Sequence, residues 1–91
     1  RKRGDLDEAE SLHREALAID RAHGNRRGES QELNRLGNIA DDRGDSEEAE
    51  HLYRESVRIA NEIGMPLDDW FVENGYTDPD ADWDYPPPEV E

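Results

Sequence analysis

From Arg3 to Gly64 apolar residues recur at steps of three and four, the spacing of one face of an α-helix, and no strand is needed to place them. Leu33, Leu36, Gly37 and Ala40 share such a face and predict a helix from about Glu29 to Asp42. Arg43-Gly44-Asp45 then reads as a tight turn, in which Gly44 can take a positive φ and Asp45 can cap the next helix with Glu48 three residues on, as in a capping box. That helix is predicted from about Ser46 to Ile63, with Ala49, Leu52, Tyr53, Ser56, Val57, Ala60 and Ile63 as its core stripe and Gly64 as its end. Nearer the start of the chain the same grammar appears, with Asp5 as cap, Glu8 three on, and Ala9, Leu12, His13, Ala16 and Ile19 facing inward.

The two outer helices are copies. Arg3 to Gly24 returns at Arg43 to Gly64 after a shift of 40 residues, with eleven of twenty-two positions identical, at turn, helix-face and helix-end sites. A period between about 20 and 50 residues marks a solenoid, whose units stack because none can bury its own apolar face. The order Leu33, Leu36-Gly37, Ala40, Ala49, Tyr53, Ser56 resembles the tetratricopeptide repeat, with Leu-Gly in its helix A and Ala, an aromatic and a small residue in its helix B. A HEAT-like helical hairpin is the structural competitor. The chain departs from the family pattern at Leu33, at Ala40, at His13 in the first copy, and in the delay of proline to Pro66. The 40-residue period is similar to the long repeats of kinesin light chains and of large bacterial signalling regulators. The resemblance implies an all-α superhelix of antiparallel hairpins, here about one and a half repeats in the order B, A, B over residues 1–64. Gly37 and Ala49 are then expected where helices cross closely.

Arg1-Lys2-Arg3 reads as the close of a helix A that the chain lacks, so a fragment of a longer multi-repeat protein is expected. Without that helix, Leu12, Ala16 and Ile19 are expected to stay uncovered and to mark an oligomerisation face.

Composition changes at Gly64. Residues 1–64 carry 16 acids and 11 bases, while residues 65–91 carry 9 acids and no base, in a chain of formal charge -14. Pro66 favours a helix start, and Leu67, Trp70 and Phe71 form one sticky face, so a short capping helix is read over residues 65–76. Residues 77–91 are read as a disordered acidic tail, extended around Pro86 to Pro88. The net charge argues against nucleic acid and anionic membrane as partners, and its self-repulsion predicts folding that improves with ionic strength, as in a halophilic cytoplasm. The chain has no Cys, no signal peptide and no apolar run long enough to span a bilayer, which makes cytoplasmic location the default expectation.

Candidate chemistry is sparse. Asp78, Asp80, Asp82, Asp84 and Glu89 have the ligand spacing of a calcium loop, but Trp83 stands where a sharp turn needs Gly and the prolines stiffen the second half. Trp83 and Tyr85 among acids form a second tail reading, a short docking motif. His13 and His51 lack nucleophile partners and His13 aligns with Tyr53, so it is read as a packing residue. Neither catalysis, a metal nor a cofactor is expected. Binding has a better candidate, because the resemblance puts helix A on the concave surface, where Gln31, Asn34, Asn38 and Asp41 are spaced 3, 4 and 3 along one face. Asn amides both donate to and accept from a peptide backbone, so this stripe suits an extended peptide of a protein partner. The function expected is therefore an interaction scaffold, the alternative being a structural homo-oligomerisation element with no peptide ligand.

Overall fold

The computed structural model describes residues 3–88, and Arg1, Lys2 and Glu89, on which parts of the preceding readings fall, lie outside them. Four helices follow in order: α1 (Arg3–Ala22), α2 (Arg26–Asp42), α3 (Ser46–Ile63) and the short α4 (Asp69–Glu73). Among the described residues there is no strand.

Local chemistry sets the helix ends. Asn25 accepts a bond from Gly28 N at 3.0 Å and Asp45 accepts one from Glu48 N at 3.1 Å, each closing an N-terminus. Because the cap is Asn25, α2 begins three residues before the expected Glu29. The return half of the Asp45 capping box is not made, since the Asp45 N–H is already used by Ala40 O at 2.9 Å. That bond and Gly44 N to Asp41 O, also 2.9 Å, end α2 in a Schellman turn, for which Gly44 takes φ 80°. In the first copy α1 already begins at Arg3, so Asp5 lies in its first turn rather than capping it.

The core sits mainly between α2 and α3. Leu33, Leu36, Ala40, Ala49, Leu52, Tyr53 and Val57 are buried together. Ser30 and Ser56 are buried where the helices cross, and each hydroxyl donates to the other's carbonyl, at 2.8 and 2.7 Å. Two helical residues that would otherwise carry orphaned polar atoms thus staple the pair. Gly37 abuts Tyr53: a Cβ on it would stand 2.5 Å from Tyr53 Cε1. This is the close crossing expected of Gly37. Ile63, expected in the α3 stripe, is exposed because the chain turns away at Gly64.

Helix α1 packs on α2 through a thinner and more ionic face. Leu6 and Leu17 are its buried apolar residues, His13 Nδ1 meets Glu32 Oε1 at 2.7 Å, and Arg43 pairs with Asp7 and Glu10. Glu29, buried on α2, accepts from Arg21 of α1 at 3.1 Å and from Arg26 at 2.8 Å, and Arg26 goes on to Glu62 of α3 at 2.5 Å. One chain of charges therefore links three helices. The inward stripe expected of α1 is corrected in part: Leu12 and Ile19 are 57% and 59% exposed, whereas their counterparts Leu52 and Ile59 are 7% and 4% exposed. The difference is geometric. Pairing with α2 turns Leu17 inward, and no described helix covers the neighbouring face.

Replacing Gly37 by Ala tests the crossing. The added methyl gains about 1 kcal/mol of helix propensity, but overpacking against a ring held on all sides costs about 1–3 kcal/mol, so Gly37→Ala should lower stability by about 1 kcal/mol in urea unfolding. Gly4→Ala, which meets nothing within 4 Å, should not lower it.

Candidate peptide-binding face

The stripe read from the sequence lies on one face of α2, and the structure divides it. Gln31 is exposed at the mouth of a shallow cleft of about 200 Å³, whose lining also includes Arg27, Asn34, Leu67 and Phe71. Asn34, half-buried, donates Nδ2 to Asp68 Oδ2 at 2.8 Å. Farther along, Asn38 Oδ1 accepts from the Tyr53 hydroxyl at 2.6 Å, and Asp41 Oδ1 accepts from the Tyr85 hydroxyl at 2.9 Å. Asn34, Asn38 and Asp41 are thus each engaged by the chain itself, and Gln31 alone of the four makes no side-chain hydrogen bond to a described residue. Of the expected oligomerisation residues, Leu12 and Ile19 are exposed and Ala16 half-buried.

Arg27 continues the stripe one turn toward the helix start and makes no ion pair with any described residue. Starting the helix at Glu29 hid it. Gly24-Asn25 repeats the Gly44-Asp45 turn grammar, and that was the signal that would have put Arg27 on the helix.

The bonds to Asn34 and Asp41 come from the segment that follows Gly64. Residues 77–88 have no helix or strand, yet they lie on the body instead of leaving it. All six aromatic residues of the chain meet there. Tyr53 sits 5.5 Å from Trp70, 5.4 Å from Phe71 and 5.8 Å from Tyr85, and Tyr76 stacks on Trp83 at 4.6 Å, centroid to centroid. Such pairs add about 0.5–1.5 kcal/mol each beyond the area they bury. Polar contacts fix the segment along α3: Asn61 donates to Thr77 O at 3.0 Å, Arg58 to Asp80 Oδ1 at 2.9 Å, and Arg54 to the carbonyls of Pro79 and Ala81 at 2.9 and 2.7 Å. Composition concealed this, because acidity was weighed over the five aromatics that follow Gly64. No cluster of three His, Cys, Asp or Glu among the described residues could hold a metal ion, and no described helix is long and apolar enough to cross a membrane.

With helix order, crossing glycine and aromatic in place, family membership can be decided. The family described as tetratricopeptide repeat matches residues 1–62. The chain belongs to the tetratricopeptide repeat family. No curated protein and no solved structure matches it. In tetratricopeptide terms α2 and α3 are helices A and B of one repeat, and α1 is helix B of the copy before. Members of the family generally bind protein partners and typically act as scaffolds without enzymatic activity.

All three tyrosines of this tetratricopeptide chain lie in the cluster, and each holds its proton above the ordinary 10.0. Burial is the first cause in each case. The charges of Asp41 and Asp42 add to it at Tyr53, those of Asp84 and Glu50 at Tyr76, and the bond donated to Asp41 at Tyr85. A pKa raised by folding stabilises fully below the unfolded value, and that stability drains as pH rises past it. Stability should therefore fall above about pH 10, and tyrosinate absorbance of the folded chain should lag that of the urea-unfolded chain. Coincident titrations would show that the tyrosines are solvated.

Proposed function

We propose that this chain is a protein-interaction module of a larger repeat protein, and that it binds an extended peptide along the N-terminal half of the α2 stripe. The observation that carries this reading is the cleft between α2 and residues 65–71, where the Gln31 amide and the Arg27 guanidinium, which pairs with no described acid, stand beside Asn34 over an apolar floor that includes Leu67 and Phe71. An extended strand needs donors and acceptors at one helical turn, which Gln31 and Asn34 supply, and a side-chain recess, which the floor supplies. Asn34, Asn38 and Asp41 are held by Asp68, Tyr53 and Tyr85, so they join a ligand only in exchange for those bonds. Peptides selected from a random display library against the full chain should lose about tenfold or more in affinity for the Gln31→Ala, Asn34→Ala double variant, with helical circular dichroism unchanged. Equal affinity would make the stripe a solvated face.

A second reading is self-assembly through α1, favoured by the exposure of Leu12 and Ile19 where the copied Leu52 and Ile59 are buried. Here the structural role replaces the peptide ligand. Sedimentation equilibrium should then give a dimer that Ile19→Glu converts to a monomer. A well-folded wild-type monomer at high concentration rejects it.

A further inference from the structure

Arginine is outnumbered by acid in this chain, and almost every arginine is used internally. From Arg14 to Arg58, each one other than Arg27 meets a carboxylate of its own chain. Arg27 is exposed in the first turn of α2 and pairs with no described acid, although 25 acids face only 11 bases in the sequence. The fold thus leaves one cation over, and it leaves it at the cleft.

The opposite sign stands at the far end of the same cleft. Asp68 is exposed there, its Oδ2 accepts from the neutral Asn34 amide at 2.8 Å, and no described base pairs with it. Its Oδ1 takes no bond from a described residue. Asn34 lies two helical turns after Arg27, on nearly the same face, which separates the two ends by about 10 Å along the axis of α2. Between them the exposed Gln31 stands over Phe71, which is buried, and Met65 and Leu67, which are half-buried.

We infer that the cleft selects a peptide segment with an acid and a base on one face and an apolar residue between them. The acid meets Arg27, the apolar side chain enters the recess of Met65, Leu67 and Phe71, and the base meets Asp68 Oδ1 without displacing Asn34. This rests on the peptide reading and names the chemistry of its ligand. Spacing follows from the strand, in which alternate residues share a face and each residue advances about 3.3 Å. Charges two residues apart span only about 7 Å and leave no residue of that face between them. Charges four apart span about 13 Å, which side chains leaning inward bring to the separation of the two ends. The pattern is therefore acid, any, apolar, any, base, in either chain direction. Residues 65–91 hold 9 acids and no base, and their field favours a base at the Asp68 end. Exposed pairs of this kind set specificity and register more than raw affinity.

The test uses the full chain and peptides from the display selection, synthesised acetylated and amidated so that no terminal charge takes part. The selected sequences should carry the pattern more often than the unselected library. Arg27→Glu places an acid in a first helical turn, which suits the fold, and should weaken patterned peptides about tenfold as attraction becomes repulsion. The same peptides with their acid changed to Lys should bind Arg27→Glu better than they bind wild type. Asp68→Asn, whose amide oxygen can still accept from Asn34, should weaken patterned peptides about threefold. Selected peptides without the pattern, or patterned peptides that bind Arg27→Glu as tightly as wild type, would overturn the charge pattern. Either result leaves the peptide reading standing, because the Gln31→Ala, Asn34→Ala variant tests that reading separately. Peptides that bind every one of these variants as they bind wild type would overturn both.

Discussion

The approach of Gly37 to the ring of Tyr53 fixes how near α2 and α3 can come, and the rest of the molecule is arranged around that contact. A side chain on residue 37 would occupy the ring's place. With the ring seated, its hydroxyl reaches Asn38, and its remaining surface becomes the floor on which Trp70, Phe71 and Tyr85 pack. A single aromatic thus joins the repeat's own crossing to everything that follows Gly64. His13, at the same place in the first copy, makes a polar bond to Glu32 instead, and the α1–α2 face is correspondingly thinner and more ionic.

Charge works in two directions. The formal -14 repels itself, and yet several of the described bases reach acids on other helices, from Arg43 with Asp7 and Glu10 to the Arg21–Glu29–Arg26–Glu62 chain. Exposed pairs of this kind contribute little singly, whereas Glu29 is buried and needs its two arginines. Added salt relieves the long-range repulsion and weakens the exposed pairs, leaving the buried carboxylate comparatively untouched. The C-terminal loop shows the same economy, because a segment with no base is held by the arginines of α3.

Much of the architecture was legible in the residues. The period of 40, the three-and-four spacing, and the Gly-Asp turn after α2 give the helices and their order, and Gly37 marks the close crossing. The outward turn of Leu12 and Ile19 was legible only as incompleteness, since helical spacing places residues on a face but does not say what covers it. The fate of the stripe was not legible at all. Asn34, Asn38 and Asp41 are engaged by Asp68, Tyr53 and Tyr85, residues far along the chain, and local pattern carries no record of such bonds. The packing of residues 77–88 is hidden for a related reason: mean composition marks the segment as acidic and carries no record of the aromatic cluster it forms with Tyr53 and α4.

Hydrogen exchange on the intact chain tests that last claim most directly. If the segment after Gly64 completes the core built on Tyr53, the Tyr76 amide, bonded to Phe71 O at 2.7 Å, and the Met65 amide, bonded to Ala60 O at 2.8 Å, should exchange with protection close to that of the α3 interior. The account predicts one cooperative unit from α2 through Tyr76. Rapid exchange at Tyr76 beside a well-protected α3 would contradict it, and would leave Tyr53 covered by a segment that only visits.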